Sequence, residues 1–215
     1  MRYTSLFFDL DDTLYPNDTG LWEMIRQRMS LYMLERLKLP MQSISALRKQ
    51  YFETYGTTLR GLQIHHSVDP DDYLAYVHDI PVDEYLKPQP TLRQILLSLP
   101  QGRWIFTNSD AAHAQRVLMA LRLEGCFNGI IDIRATHFSC KPEVQAYQYA
   151  LAFAGERVPE SCVLFEDSLV NLRAAKGLGF RTVLINSNRQ TDPAADHSLI
   201  SLLTLPEEMP ELWEM

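Results

Sequence analysis

The sequence predicts an α/β fold in which a parallel sheet carries helices on both faces and an all-helical segment is inserted after the first strand. Three observations support this. From Thr91 onward, short apolar runs (Trp104-Ile105-Phe106, Gly129-Ile130-Ile131, Val163-Leu164-Phe165 and Thr182-Val183-Leu184-Ile185) alternate with helix-period segments. Such alternation implies parallel strands joined by right-handed crossovers. Between Tyr15 and Pro88 the periodicity is helical and no convincing strand occurs. Finally, acidic, hydroxyl and amide residues follow three of the apolar runs, at the strand ends where open parallel sheets bind ligands.

Leu6-Phe7-Phe8 is the first buried strand, bounded by the turn formers Pro16 and Asn17. From Gly20 to Leu39, Leu21, Met24, Ile25, Met29, Tyr32, Met33 and Leu37 recur at helical spacing, and Pro40 ends the run. Further helices are expected over Ser43–Tyr55, stopped by Gly56, and then Thr58–His66 and Pro70–His78. Pro81, Pro88 and Pro90 make the next stretch a stiff return linker. Helices follow over Thr91–Leu99 and Ala111–Leu121, then one opened by Pro142 and one closed around Gly177–Gly179. Gly177-Leu178-Gly179 lacks the third glycine of a dinucleotide fingerprint and reads as a helix stop. The expected division is a core of residues 1–15 and 88–215 around a helical insert of residues 16–87.

At 215 residues the chain accommodates a core domain with a smaller insert, and its 46% hydrophobic content is ordinary for a soluble globular protein. A formal charge of −7 argues against a nucleic-acid polymer as partner, since backbone binding calls for a basic surface. A small phosphate ester needs only one local positive site. No apolar run approaches the ~18 residues of a membrane span, and the first residues lack the features of a signal peptide. Cys126, Cys140 and Cys162 are odd in number and widely spaced, consistent with reduced thiols. A cytoplasmic location is therefore expected; the oligomeric state is not readable from the sequence.

The candidate site collects at the strand ends. Asp9 and Asp11, two apart at the end of the first strand, can face one small volume. At ~4 Å and an effective dielectric of ~20 their repulsion is about 4 kcal/mol, unless a cation, proton or substrate intervenes. Thr107-Asn108 and Glu166-Asp167 end two other strands, and Ser139-Cys140-Lys141-Pro142 adds a lysine beside them. Each has a bland alternative: a turn for Thr107-Asn108, a solvated surface for Lys141, a favourable helix start for Glu166-Asp167. Their coincidence at corresponding strand ends favours a site. His113 and Arg116, on the helix after Thr107, read as surface residues, and His65 and His66 as solvated residues ending a helix.

The ordered motifs Asp9-Leu10-Asp11-Asp12-Thr13, Thr107, Lys141 and Glu166-Asp167 resemble the haloacid dehalogenase superfamily of aspartate-nucleophile phosphotransferases and hydrolases, with a Rossmann-like core. The helical insert sits where its capped subfamily I carries a cap. Phe8-Asp9-Leu10-Asp11-Asp12-Thr13-Leu14-Tyr15-Pro16, Tyr55-Gly56-Thr57-Thr58-Leu59-Arg60-Gly61-Leu62 and Phe106-Thr107-Asn108 resemble its pyrimidine 5′-nucleotidase branch. The resemblance implies that Asp9 is the nucleophile and Asp11 the general acid and base. It implies Mg²⁺ bound by Asp9, Asp167 and the backbone carbonyl of Asp11, with Glu166 and Asn171 holding the metal's waters. Thr107 and the backbone N–H of Asn108, with Lys141, would bind the transferring phosphoryl group. Asp12, facing the opposite side, and Thr13, whose hydroxyl satisfies loop backbone groups, would be structural. Tyr55 and Arg60 are the candidates for touching a base or sugar.

The function implied is a Mg²⁺-dependent phosphatase of small phosphate monoesters, with a nucleoside 5′-monophosphate, pyrimidine first, as partner. Alternatives on the same fold are a sugar-phosphate or pyridoxal-phosphate phosphatase, a phosphomutase and a 2-haloacid dehalogenase. Halide needs no protonation on departure, so the last leaves Asp11 and the acidic pair unexplained. The non-enzymatic alternative is a nucleotide-binding or partner-binding protein.

Overall fold

The computed structural model describes residues 2–188 and 191–214. The chain divides into two compact units, Met1–Asp18 with Leu86–Met215, and Thr19–Tyr85.

The first unit is built on six strands, β1 (Ser5–Phe8), β2 (Gly102–Phe106), β3 (Gly129–Ile131), β4 (Cys162–Glu166), β5 (Arg181–Ile185) and β6 (His197–Leu199). They form one sheet in the order β3-β2-β1-β4-β5-β6, with every pair parallel. Phe8 is in register with both Ile105 and Phe165, so β1, β2 and β4 end close together. The strand order reverses at β1, and the crevice at such a reversal is where an open α/β sheet holds ligands.

Period-two alternation sorts the side chains to the two faces. Phe7 sits edge-on to Phe106 and Phe180 at 6.4 and 5.8 Å. On that face α8 (Val144–Ala154) contributes Ala146, Tyr147 and Ala150, and α9 (Leu169–Gly177) contributes Leu172 and Ala175. On the other face Phe8 stacks on Phe165 at 4.6 Å and meets Phe127 edge-on. Phe7, Phe8, Leu164 and Phe165 are all fully buried, which only a sheet covered on both sides allows.

Three boundaries differ from expectation, each for a local reason. Pro142 does not open a helix: Glu143 donates to the Cys140 carbonyl in a turn, and α8 starts at Val144. The proline-rich return segment holds a helical turn, α5 (Val82–Tyr85), seeded by the Pro81 carbonyl accepting from Glu84 and anchored by buried Val82. Strand β6 is only three residues long and gives no periodic signal. No helix among the described residues is long and apolar enough to cross a membrane. Cys126, Cys140 and Cys162 are buried thiols that form no disulfide.

The second unit is helical: α1 (Leu21–Glu35), α2 (Met41–Tyr55), α3 (Thr58–His66), α4 (Pro70–Val77) and α5. The Tyr55-to-Leu62 motif builds the α2–α3 corner. Gly56 closes α2 at φ 81°, a conformation costly for a residue with a Cβ. Thr57 then caps α3, its hydroxyl accepting from the Arg60 N–H at 3.1 Å. Gly61 lets α3 approach α2, because a Cβ there would lie 2.2 Å from Tyr51 Cγ. His65 and His66 are not merely solvated: their Nε2 atoms pair with the hydroxyls of Tyr55 and Tyr51 at 2.7 and 2.9 Å. Gly61→Ala is expected to destabilise the helical unit by about 1–3 kcal/mol, read as a lower denaturant midpoint. An unchanged midpoint would mean that Tyr51 moves aside freely.

Candidate active site

The end of β1 delivers Asp9, held by its N–H donating to the Phe165 carbonyl at 2.9 Å. Beside it lies Lys141, and here the sequence default fails: the lysine is 1% exposed rather than solvated. Its Nζ donates to Asp9 Oδ1 at 2.6 Å, Glu166 Oε2 at 2.7 Å and the Phe106 carbonyl at 2.9 Å. Thus the carboxyl ends of β1, β2 and β4 meet at one ammonium group. Asn108 fixes the lysine from behind, its Oδ1 accepting from the Lys141 N–H at 2.8 Å and its Nδ2 donating to the Lys141 carbonyl at 3.0 Å. This side-chain clamp was not legible in the sequence.

Asp9, Glu166 and Asp167 each offer a carboxylate oxygen, and these three lie within 4.8 Å of one another. Asp167 is exposed as a residue, whereas Asp9 and Glu166 are buried. Three carboxylates face one ammonium, so the cluster keeps a surplus of negative charge. Removal from water, and then the charge of Glu166, outweigh Lys141 and push the Asp9 carboxyl up to about 8. Asp167 is raised too, by loss of hydration and then by Glu166 and Asp9. Burial alone would lower Lys141, but Asp9 and Glu166 hold it above its ordinary value, so it stays charged. An all-oxygen cluster with uncompensated charge and this spacing suits a hard divalent cation.

Asp11 is held by a second set of partners. The strand ends at Phe8, and Asp12 adopts a left-handed φ of 62°, so strand alternation does not extend through this loop. Asp11 Oδ1 accepts from the Tyr15 hydroxyl at 2.6 Å and faces His113 Nε2 at 3.0 Å. Its Oδ2 accepts from the Ser109 hydroxyl at 3.1 Å. His113, expected at the surface, is 0% exposed, on the inner face of α7 (Ala111–Leu121); Arg116, one turn on, is half-buried. The signal that could have found His113 is the apolar stripe of α7, in which Val117 and Leu121 follow it at four-residue steps.

Thr107 is buried, its Oγ1 accepting from the Ser109 N–H at 3.0 Å. Glu166 Oε1 accepts from the Ser168 N–H at 3.2 Å. Asn171 lies half-buried in the first turns of α9, its backbone carbonyl accepting from the Tyr147 hydroxyl. The Thr13 hydroxyl is buried with no hydrogen-bond partner among the described residues, so it does not satisfy the loop backbone as expected. Tyr55 and Arg60 belong to the helical unit, at the α2–α3 corner.

Solved structures share this architecture. The magnesium-bound HAD-hydrolase YfnB of Bacillus subtilis covers 100% of both chains at TM-score 0.64 and 16% identity. A HAD phosphatase from Thermococcus onnurineus covers 95% of this chain and 96% of its own at TM-score 0.63 and 19% identity. The L-2-haloacid dehalogenase of Xanthobacter autotrophicus covers 97% of this chain and 99% of its own at TM-score 0.61 and 17% identity. At these identities the likeness is one of fold. Phosphate metabolism protein 8 of Saccharomyces cerevisiae is 28% identical over 192 residues, covering 83% of this chain. The chain spans 60% of the length of that relative. The family described as haloacid dehalogenase-like hydrolase matches residues 3–179. That match runs from β1 through α9 and includes every strand end that carries the site: the chain belongs to the haloacid dehalogenase-like hydrolase family.

Proposed function

We propose that this hydrolase is a Mg²⁺-dependent phosphatase of small phosphate monoesters, working through an aspartyl-phosphate on Asp9, with nucleoside 5′-monophosphates, pyrimidine first, as its substrates. The supporting observation is the Lys141 ammonium bound at once to Asp9 and Glu166, with Asp167 beside them. The names of the yeast relative and of the Thermococcus neighbour point to phosphate chemistry, and the Bacillus neighbour binds magnesium. A dehalogenase would leave the network on Asp11 without a task.

Asp9, Asp167 and the Asp11 carbonyl would hold the Mg²⁺, with Glu166 and Asn171 behind them. The ion would supply positive charge to offset the phosphate dianion and the crowded carboxylates. Asp9 attacks phosphorus as the P–O ester bond breaks, and Asp11 gives its proton to the departing oxygen. Asp11 then takes a proton from the water that attacks the phospho-enzyme, which restores Asp9 and releases inorganic phosphate. Lys141, the Thr107 hydroxyl and the Asn108 N–H steady the phosphoryl oxygens. Tyr55 and Arg60 are the first residues to vary when base and sugar preference is mapped.

Phosphate release from nucleotides, sugar phosphates and pyridoxal phosphate, with and without Mg²⁺, tests the proposal. No release from any of them in Mg²⁺ would reject it. Stability offers a second test. In metal-free protein the raised carboxyls make the native state bind more protons than the unfolded chain, from about pH 4 up to about pH 8 for Asp9 and about pH 10 for Asp167. Their contribution to stability therefore falls as pH rises through that window. Mg²⁺ competes with those protons, so its stabilisation grows with pH and reaches roughly 5–10 °C in Tm near pH 8 at saturation. A Mg²⁺ shift that is absent, or larger near pH 5, contradicts the metal assignment.

A further inference from the structure

We propose that His113 is a positioning residue for Asp11: from the first turn of α7 it fixes, together with Tyr15 and Ser109, the orientation in which Asp11 exchanges its proton with the substrate. This rests on Asp11 being the proton carrier of the proposed phosphatase. Three separate segments converge on one carboxyl group: Tyr15 from the loop after β1, Ser109 from the loop after β2, and His113 from α7. Two groups meet Oδ1 and one meets Oδ2, which sets both the rotation and the tilt of the carboxyl plane.

An imidazole with no exposed surface needs a reason to be there. Burying a polar group without a partner costs about 1–3 kcal/mol, and an apolar side chain would fill the same volume without that cost. The Nε2 contact with Asp11 at 3.0 Å supplies the reason. In the tautomer that carries its proton on Nε2, the ring donates to the carboxylate. The helix start that holds the ring is itself tied down twice. Asp110 Oδ1 accepts from the His113 N–H at 2.6 Å, and Asp132 Oδ2 accepts from the Ala111 N–H at 3.0 Å. Loops after β2 and β3 thus pin α7 at the turn from which the imidazole projects. Tyr15 belongs to the same device: its hydroxyl, on a buried ring, donates to the same Oδ1 at 2.6 Å.

Asp11 matters most when the leaving oxygen is a poor one. As the P–O bond breaks, its electron pair stays on the ester oxygen, and an alkoxide must take up the Asp11 proton, whereas p-nitrophenolate departs without it. A misdirected Asp11 therefore slows phosphoryl transfer from a nucleoside monophosphate and barely affects transfer from p-nitrophenyl phosphate. General loosening of the fold would slow both alike. The imidazole's reach gives a further contrast, since glutamine can place an amide N–H near the Nε2 position and asparagine is too short.

The test compares kcat/KM for the two substrates in wild type, His113→Ala, His113→Asn, His113→Gln and Asp11→Asn. The expected result is a ~10–100-fold loss with the nucleoside monophosphate in the alanine and asparagine variants, under ~3-fold loss with p-nitrophenyl phosphate, and recovery to within ~3-fold of wild type in the glutamine variant. Equal losses on both substrates, no loss in the alanine variant, or identical behaviour of asparagine and glutamine would overturn the inference. So would loss of the fold in all three His113 variants, seen by circular dichroism, because the imidazole would then be structural. Asp11→Asn separates the two levels. If it shows the substrate split and the His113 variants do not, only the role of His113 fails. If Asp11→Asn slows both substrates equally, Asp11 is not the proton carrier and both proposals fall.

Discussion

Asp9→Asn is expected to abolish phosphate release, by ~10⁴-fold or more, while leaving the fold in place. An amide is nearly isosteric with the carboxylate but is not a nucleophile at phosphorus. Lys141 keeps the Phe106 carbonyl and Glu166 as acceptors after the change, so the substitution orphans no buried cation. It also removes one negative charge from a cluster that has too many, which favours the folded state in the absence of metal. Turnover by the purified variant and its circular dichroism spectrum are the measurements. Near-normal turnover from a well-folded variant would remove Asp9 from its proposed role.

Lys141→Met should damage both activity and stability. Methionine matches the stem but leaves Asp9 and Glu166 as buried carboxylates facing each other with no ammonium between them. Removing one partner of a buried charge pair costs about 3–5 kcal/mol, compared with about 0–1 for an exposed pair. Asp9 titrates near pH 8 with the ammonium in place, and removing Lys141 raises that carboxyl further, so the loss should grow as pH rises through 8 and shrink on acidification, when protonation relieves the stranded carboxylates. Denaturant midpoints of variant and wild type near pH 9 and pH 6 test this, alongside a fall in turnover of ~10³-fold or more from the lost phosphate contact. Equal midpoints near pH 9 would mean that the ammonium does not hold the cluster together.

What the sequence disclosed about this molecule follows physical lines. Strands β1 to β5 announced themselves because each holds a short apolar run with a turn or helix start beyond it. Strand β6 did not, since His197-Ser198-Leu199 carries one apolar residue and no run to separate it from a loop. Asp9, Lys141, Glu166 and Asp167 were visible as residue types at strand ends, and the structure gathers them. The side-chain function of Asn108 was hidden because clamping another residue's backbone depends on where two loops meet in space. His113 was missed for a different reason. Its polarity suggested the surface, whereas its spacing from Val117 and Leu121 puts it on the buried face of its helix. Pro142 misled because proline favours both helix starts and tight turns, and the Cys140–Glu143 bond chose the turn. The Tyr55-to-Leu62 segment resembled a family marker, yet its glycines and threonine have local duties in joining two helices.

The central position of β1 has a consequence for how the protein is made. Its neighbours pair with it through residues near 102 and near 162, so Leu6, Phe7 and Phe8 leave the ribosome long before either flank exists. Residues 19–85 form a compact unit with short sequence separations, and such local contacts form faster than the long-range pairing of the first strand. Until β2 and then β4 emerge, the nascent chain therefore exposes a wholly apolar segment that lacks one or both of its flanking strands, and slow translation prolongs that exposure. Chaperone capture of this segment during synthesis is the expected safeguard.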